Sequence, residues 1–301
     1  MNRIKTFGLS ALTFLSSLNM FGQAGYHKKC NGSLAWLSST TETRGAPNPS
    51  AMVSPSGRYY GINQLDGYNV SRLIKYINSH DEYQALRGKL AVEKKKNEDG
   101  KTVYRVNRAK WQALGAAQPE LFARAQEDFL CAVYLPECFQ RLQKGLIAEA
   151  KKSGRRPIAL RQLHPAVLSL FARSFVKKPA TTAPLTALKN ARTAEAANTE
   201  KFIIAYVGKN EYLKDKALAS FRSADISWKE AQIAAACSLA EKEMQKYEAA
   251  EAERRQKEFS MLKKTAPLRQ SRPERAVRRL SDAAQMPALS LKQKKQGSSR
   301  G

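Results

Sequence analysis

Glu42 closes a short apolar run that holds Leu34, Trp36 and Leu37. It is followed by a segment rich in Gly, Pro, Ser and Asn that ends in Gly61-Ile-Asn-Gln64. A carboxyl at the mouth of an apolar helix is partly desolvated. Desolvation disfavours the charged form, so Glu42 is expected to titrate high enough to serve as a general acid. A loop carrying Ser54, Tyr60, Gly61 and Gln64 can line a groove and present backbone and amide groups to sugar hydroxyls. Protonation of a glycosidic oxygen in such a groove is the logic of acid-catalysed glycoside cleavage. The inverting and retaining routes need a second carboxylate, and Asp66 is the nearby candidate. The three histidines, His27, His80 and His164, are scattered, and neither H-E-x-x-H nor C-x-x-C occurs, so no metal and no cofactor is expected.

These residues need elements to hold them. The chain has 301 residues and is 43% hydrophobic, enough for a sizeable core. Residues 33–42 read as a short helix, and 43–69 as an irregular segment of the kind that forms functional loops. Val70, Leu73, Ile74 and Ile77 recur at helical spacing over 70–79. Leu90-Ala-Val92 and Val103-Tyr-Arg-Val106, joined by a charged tip ending in Asp99-Gly100, predict a β-hairpin. The rest is helical. Pro119 suits a first turn, and further helices are expected over 137–145, 163–176, 199–213 and 227–262, the last opened by a Ser227-x-x-Glu230 capping box. Trp111 and Phe122 fall in apolar helical patterns and read as core. His80 and His164 read as capping or surface residues, and Lys94-Lys-Lys96 as a solvated tip.

With 52 Lys+Arg against 26 Asp+Glu the net charge is +26. Residues 251–301 contribute 14 basic against 5 acidic side chains, and residues from 265 onward lack periodicity, which predicts a disordered basic tail. Such charge seeks polyanions: nucleic acid, anionic lipid or envelope polymers. The tail has no aromatic residue to stack on bases, so specific nucleic-acid recognition is not expected. Arg3 and Lys5, the apolar stretch from Phe7 to Phe21 and the small-x-small Gly22-Gln-Ala24 read as a secretory signal over 1–24, which leaves no membrane span once removed. Export would allow disulfides. Cys131 and Cys138 flank a Tyr-Leu-Pro break and could bridge locally, leaving Cys30 with Cys237; the alternative is four buried, reduced thiols.

The segment from Glu42 onward resembles the lysozyme-like superfamily, especially goose-type lysozymes and soluble lytic transglycosylases. The matching residues are Glu42, Asn48-Pro49, Ser54, Gly57 and Gly61-Ile62-x-Gln64. It is also similar to a phage-associated branch of peptidoglycan hydrolases, through Val53-Ser54, Tyr60-Gly61, Gln64-Leu65 and the helix from Val70. Trp111, Pro119-Glu120, Phe122, Ala125-Gln126, Phe129, Tyr134 and Pro136 extend the likeness, with weaker echoes at His164-Pro-Ala-Val167 and around Phe202, Ile203 and Tyr206. Three departures stand out. Tyr59 replaces a serine, the loop over Ser54-Pro-Ser-Gly57 is short, and no Gln-His-Gly element follows Ser169, where Arg173 and Phe175 stand instead.

The resemblance implies a mainly α, lysozyme-like helical domain over 25–225 with a small β-hairpin, then a long helical extension over 226–264 and the basic tail over 265–301. It implies a periplasmic or secreted enzyme that cuts the bond between N-acetylmuramic acid and N-acetylglucosamine in peptidoglycan glycan strands. Glu42 would be the acid. In a transglycosylase the same residue would then act as base while the muramic 6-hydroxyl closes an anhydro ring; in a hydrolase water would attack. Ser54, Tyr60, Gly61, Gln64 and Asp66 would line the substrate groove. The lost loop residues leave a second expectation, a catalytically inactive envelope protein that binds peptidoglycan, an anionic polymer or a partner protein.

Overall fold

A computed structural model of the chain describes residues 30–265, except 44, 45, 47, 97 and 179. The signal expected over 1–24 and the tail beyond 265 lie outside the described residues. The protein is mainly helical with two small two-stranded sheets and a long C-terminal helix, as the sequence predicts. In chain order the elements are α1 (Trp36–Glu42), β1 (Tyr59–Tyr60), β2 (Leu65–Asp66), α2 (Gly67–Ser79), β3 (Val92–Lys96), β4 (Thr102–Val106), α3 (Arg108–Ala117), α4 (Pro119–Phe129), α5 (Leu135–Ser153) and α6 (Pro165–Lys177). There follow α7 (Thr182–Ala191), α8 (Ala194–Ala197), α9 (Glu200–Val207), α10 (Glu211–Arg222) and α11 (Glu230–Thr265).

Local chemistry explains most boundaries. The Asp66 carboxylate accepts from the Asn69 amide at 2.8 Å and starts α2. Pro119 and Pro165 occupy first-turn positions of α4 and α6, where a missing N–H costs nothing. His164 sits ahead of α6 and accepts from the Ala166 amide at 3.2 Å through Nδ1, so it is a cap. The hairpin pairs Val92 with Val106 and Lys96 with Thr102, and its lysines are exposed. The single helix expected over 199–213 is two: Gly208, at φ 62, ends α9, and the Asn210 side chain caps α10. The Ser227 box does not cap α11, which begins only at Glu230.

The expected break at Tyr-Leu-Pro is not a break. A π-helical stretch, Leu130–Tyr134, runs directly into α5 with Pro136 in its first turn. Cys131 and Cys138 are therefore seven residues apart on nearly continuous helix, a rise of about 10 Å at ~1.5 Å per residue. A disulfide needs Cα atoms within about 7 Å. All four cysteines are free. Burial pushes the Cys138 thiol up to about 11 and that of Cys237 to about 12, so neither is a reactive thiolate near neutral pH.

The core collects Leu73, Trp111, Phe122, Phe129, Phe139, Phe171 and Phe175, all closed to solvent. Each such side chain contributes about 1.5–3 kcal/mol on burial. The described residues up to Glu248 form one compact unit. The first half of α11 belongs to it: Ile233, Ala236, Cys237, Ala240 and Met244 are buried. The remainder of α11 is a separate unit of charged helix laced by its own pairs, Arg254 with Glu251 and Glu258, and Lys257 with Glu253.

A polar junction joins α4 to the start of α11. Glu127 on α4 is 3% exposed and lies 3.7 Å from the Lys229 ammonium, ahead of α11. Its neighbour Asp128 accepts from Gln232 at 2.9 Å and from the Tyr83 hydroxyl. Desolvation pushes the Glu127 carboxyl above its ordinary value, and Lys229 only partly opposes this. The native state thus holds this proton more tightly than the unfolded chain, and stability falls as pH rises from the ordinary carboxylate range through the raised value. Glu127→Gln should flatten that fall from about pH 4 upward. Urea midpoints of both proteins over that range check it; parallel curves would show that Glu127 does not titrate there.

Candidate functional site

Glu42 is the last residue of α1. The Thr41 and Thr43 hydroxyls bond back to the carbonyls of Leu37 and Ser39, at 2.8 and 2.7 Å, and compete with continuation of the helix. Packing of α1 on α6 brings Arg173 to the carboxylate, with Nη2 2.9 Å from Oε1. The two side chains are 12% and 24% exposed for Arg173 and Glu42. Glu42 Oε1 and Arg173 Nε are both shut off from solvent without an aligned hydrogen bond. The close approach is therefore a contact of charges at Oε1, and Arg173 Nε is left as an enclosed donor without a partner. The carboxyl is half-enclosed, as the sequence leads one to expect, but a cation faces it where apolar surroundings alone were expected.

The loop that follows is pinned to α3 and α4. Asn48 Nδ2 donates to the Gly115 carbonyl at 2.9 Å, and Trp111 Nε1 donates to that of Ser50 at 3.1 Å. Gln126, wholly buried, donates from Nε2 to the same Ser50 carbonyl at 3.1 Å and accepts at Oε1 from the Ile62 amide at 2.8 Å. Between these anchors the chain forms a small antiparallel turn. Tyr59 pairs with Asp66 and Tyr60 with Leu65, and the Gly61 amide donates to Met52 at 2.7 Å.

Each expected groove residue has a definite place in this turn. Gly61 adopts φ +72, and a Cβ there would lie 1.8 Å from Gln126 Oε1, so only glycine fits. Tyr60 is 2% exposed, packs on Trp111 with ring centroids 5.2 Å apart, and donates its hydroxyl to the Val106 carbonyl. Ser54 is buried, and its hydroxyl accepts from the Tyr59 amide at 3.1 Å. Gln64, at φ 48, turns its amide back to the Gly61 carbonyl at 2.8 Å. Asp66 is exposed and is engaged as the α2 cap. These side chains shape and hold the turn, and none of their hydrogen bonds reaches Glu42. Exposed Tyr59, at 47%, is the one aromatic of this turn open to solvent.

Arg173 and Gln126 carry more of the site than their sequence positions suggest. Arg173 stands where the expected Gln-His-Gly element is missing, and nothing in local spacing pairs it with Glu42. Gln126 could be suspected from its polar character inside the apolar pattern of α4. Replacing Gln126 by Leu removes two buried hydrogen bonds and orphans the Ile62 amide, a cost of about 2–4 kcal/mol. The expected result is a lower urea midpoint with faster amide exchange at residues 61 and 62. An unchanged midpoint would mean that the loop does not depend on this anchor.

Compared with protein-family models, curated proteins and solved structures, the chain matches none of them.

Proposed function

We propose that the protein cleaves the bond between N-acetylmuramic acid and N-acetylglucosamine in peptidoglycan, with Glu42 as general acid. The observation that supports this reading is the place of Glu42, a partly accessible carboxyl at the end of α1 directly ahead of the loop that Gln126 pins. The Glu42 side chain is 24% exposed, and the Arg173 guanidinium stands 2.9 Å from its enclosed Oε1. Glu42 donates its proton to the leaving oxygen, and the same carboxylate then takes a proton from the muramic 6-hydroxyl or from water. Arg173 acts as a positioning residue that fixes the carboxyl. The tethering of Asp66 to the start of α2 favours the route that needs no second carboxylate.

A second reading has its own support. Tyr60 and Ser54 are enclosed, and Gln64 is engaged with its own backbone. An inactive chain that binds the wall, or an envelope partner, through its positive charge would need no open groove. Export to the envelope belongs to both readings; no described helix is long and apolar enough to cross a membrane.

Digestion of purified sacculi, followed by mass spectrometry of released muropeptides, separates the two. The wild-type chain should release anhydro-muropeptides, and Glu42→Gln should lower the rate about 100-fold or more. Products with reducing muramic ends would assign a hydrolase instead. Sacculus binding without any product from the wild type would replace cleavage with the binding reading.

A further inference from the structure

Arg173 has a second face. It also lines an open cavity of about 1050 Å³ between the C-terminal end of α6 and α7 to α10. Lys177, Lys178 and Lys201 share that lining, and among the described residues it contains no Asp or Glu. None of the three lysines has a salt bridge among the described residues. Three lysines without an ion-pair partner, beside an arginine shared with Glu42, raise a positive potential that an anion relieves. Arg173 is the critical member, because it is the one cation of the lining that also faces Glu42, and burial leaves that interaction poorly screened.

The remaining wall selects among anions. Six alanines line it, interspersed with hydroxyl and amide side chains such as Thr186 and Asn190. The Phe202 ring is buried, which sets it poorly for stacking on a base. The volume is at the upper end of the range for ligand pockets and far exceeds what one phosphate fills. We infer that this cavity binds an acidic peptide. Its carboxylates meet Arg173, Lys177 and Lys201, its small side chains meet the alanine wall, and its backbone meets the hydroxyls and amides. The peptide competes with Glu42 for Arg173, which couples the cavity to the candidate acid.

Calorimetric titration of the full chain with the N-acetylated tetrapeptide Ala-Glu-Ala-Glu tests this, beside the N-acetylated and C-terminally amidated Ala-Gln-Ala-Gln. Binding, not cleavage, is read, so the result is independent of the glycan reading. The acidic peptide should bind, and the neutral one about tenfold more weakly or not at all. Lys177→Ala with Lys201→Ala, both at exposed positions, should weaken binding about tenfold. The same charge loss in the hairpin, Lys94→Ala with Lys96→Ala, should leave affinity unchanged. Glu42→Gln should tighten binding, because Arg173 loses its competitor. Failure to bind, equal affinity for the neutral peptide, or equal loss in the hairpin variant would overturn the site. Unchanged affinity in Glu42→Gln would overturn the sharing of Arg173.

Discussion

One buried amide organises the region on which any activity of this protein depends. Gln126 lies inside α4 with no access to water, and both ends of its amide are used by the backbone of the loop after Glu42. A buried amide left without partners costs more than a hydrogen bond normally returns. The loop therefore has one seat, not several. Its consequences run outward. Gly61 must be glycine because the amide oxygen occupies the space of a Cβ. The Ser50 carbonyl receives both Gln126 and Trp111, so the single turn at Pro49–Ala51 is clamped between two helices. Tyr60 is then carried inward against Trp111, and Asp66 falls where it can start α2.

A second constraint is electrostatic. The chain carries a large positive excess, yet its buried charges are acidic or paired. Glu127 is enclosed beside Lys229, and Arg173 is enclosed beside Glu42. A charge removed from water is tolerated only with a partner or a shifted protonation equilibrium. Both pairs stand at junctions between distant parts of the sequence: α4 with the start of α11, and α1 with α6. Charge thus marks where the two ends of the compact unit close on its middle. The surplus lysines remain on the surface, on the hairpin and around the cavity beside α6, where solvent lowers the cost of their repulsion.

Much of the architecture was legible beforehand, because it rests on local rules. Helical spacing located α2, proline at the first turn located α4, and alternation with Asp-Gly located the hairpin; each depends on residues a few positions apart. Trp111 and Phe122 were readable as core for the same reason. The misreadings were also local. The Tyr-Leu-Pro stretch looked like a stop, but proline in a first helical turn costs no hydrogen bond, and a π-helical stretch absorbs the change. The helix expected over 199–213 ignored the left-handed backbone that Gly208 makes available.

The sequence by itself determined the helical class, the hairpin, the basic character, and Glu42 at the end of a short helix before a turn-rich loop. These follow from short-range periodicity, capping and composition. Only the tertiary structure decided what surrounds that acid. It set Arg173 against Glu42, turned Tyr60 and Ser54 inward, and opened a cationic cavity on the far side of the same arginine. The reason is physical. An ion pair between positions 42 and 173 exists only once α1 packs on α6, and no local pattern records which face of a helix a distant side chain will meet.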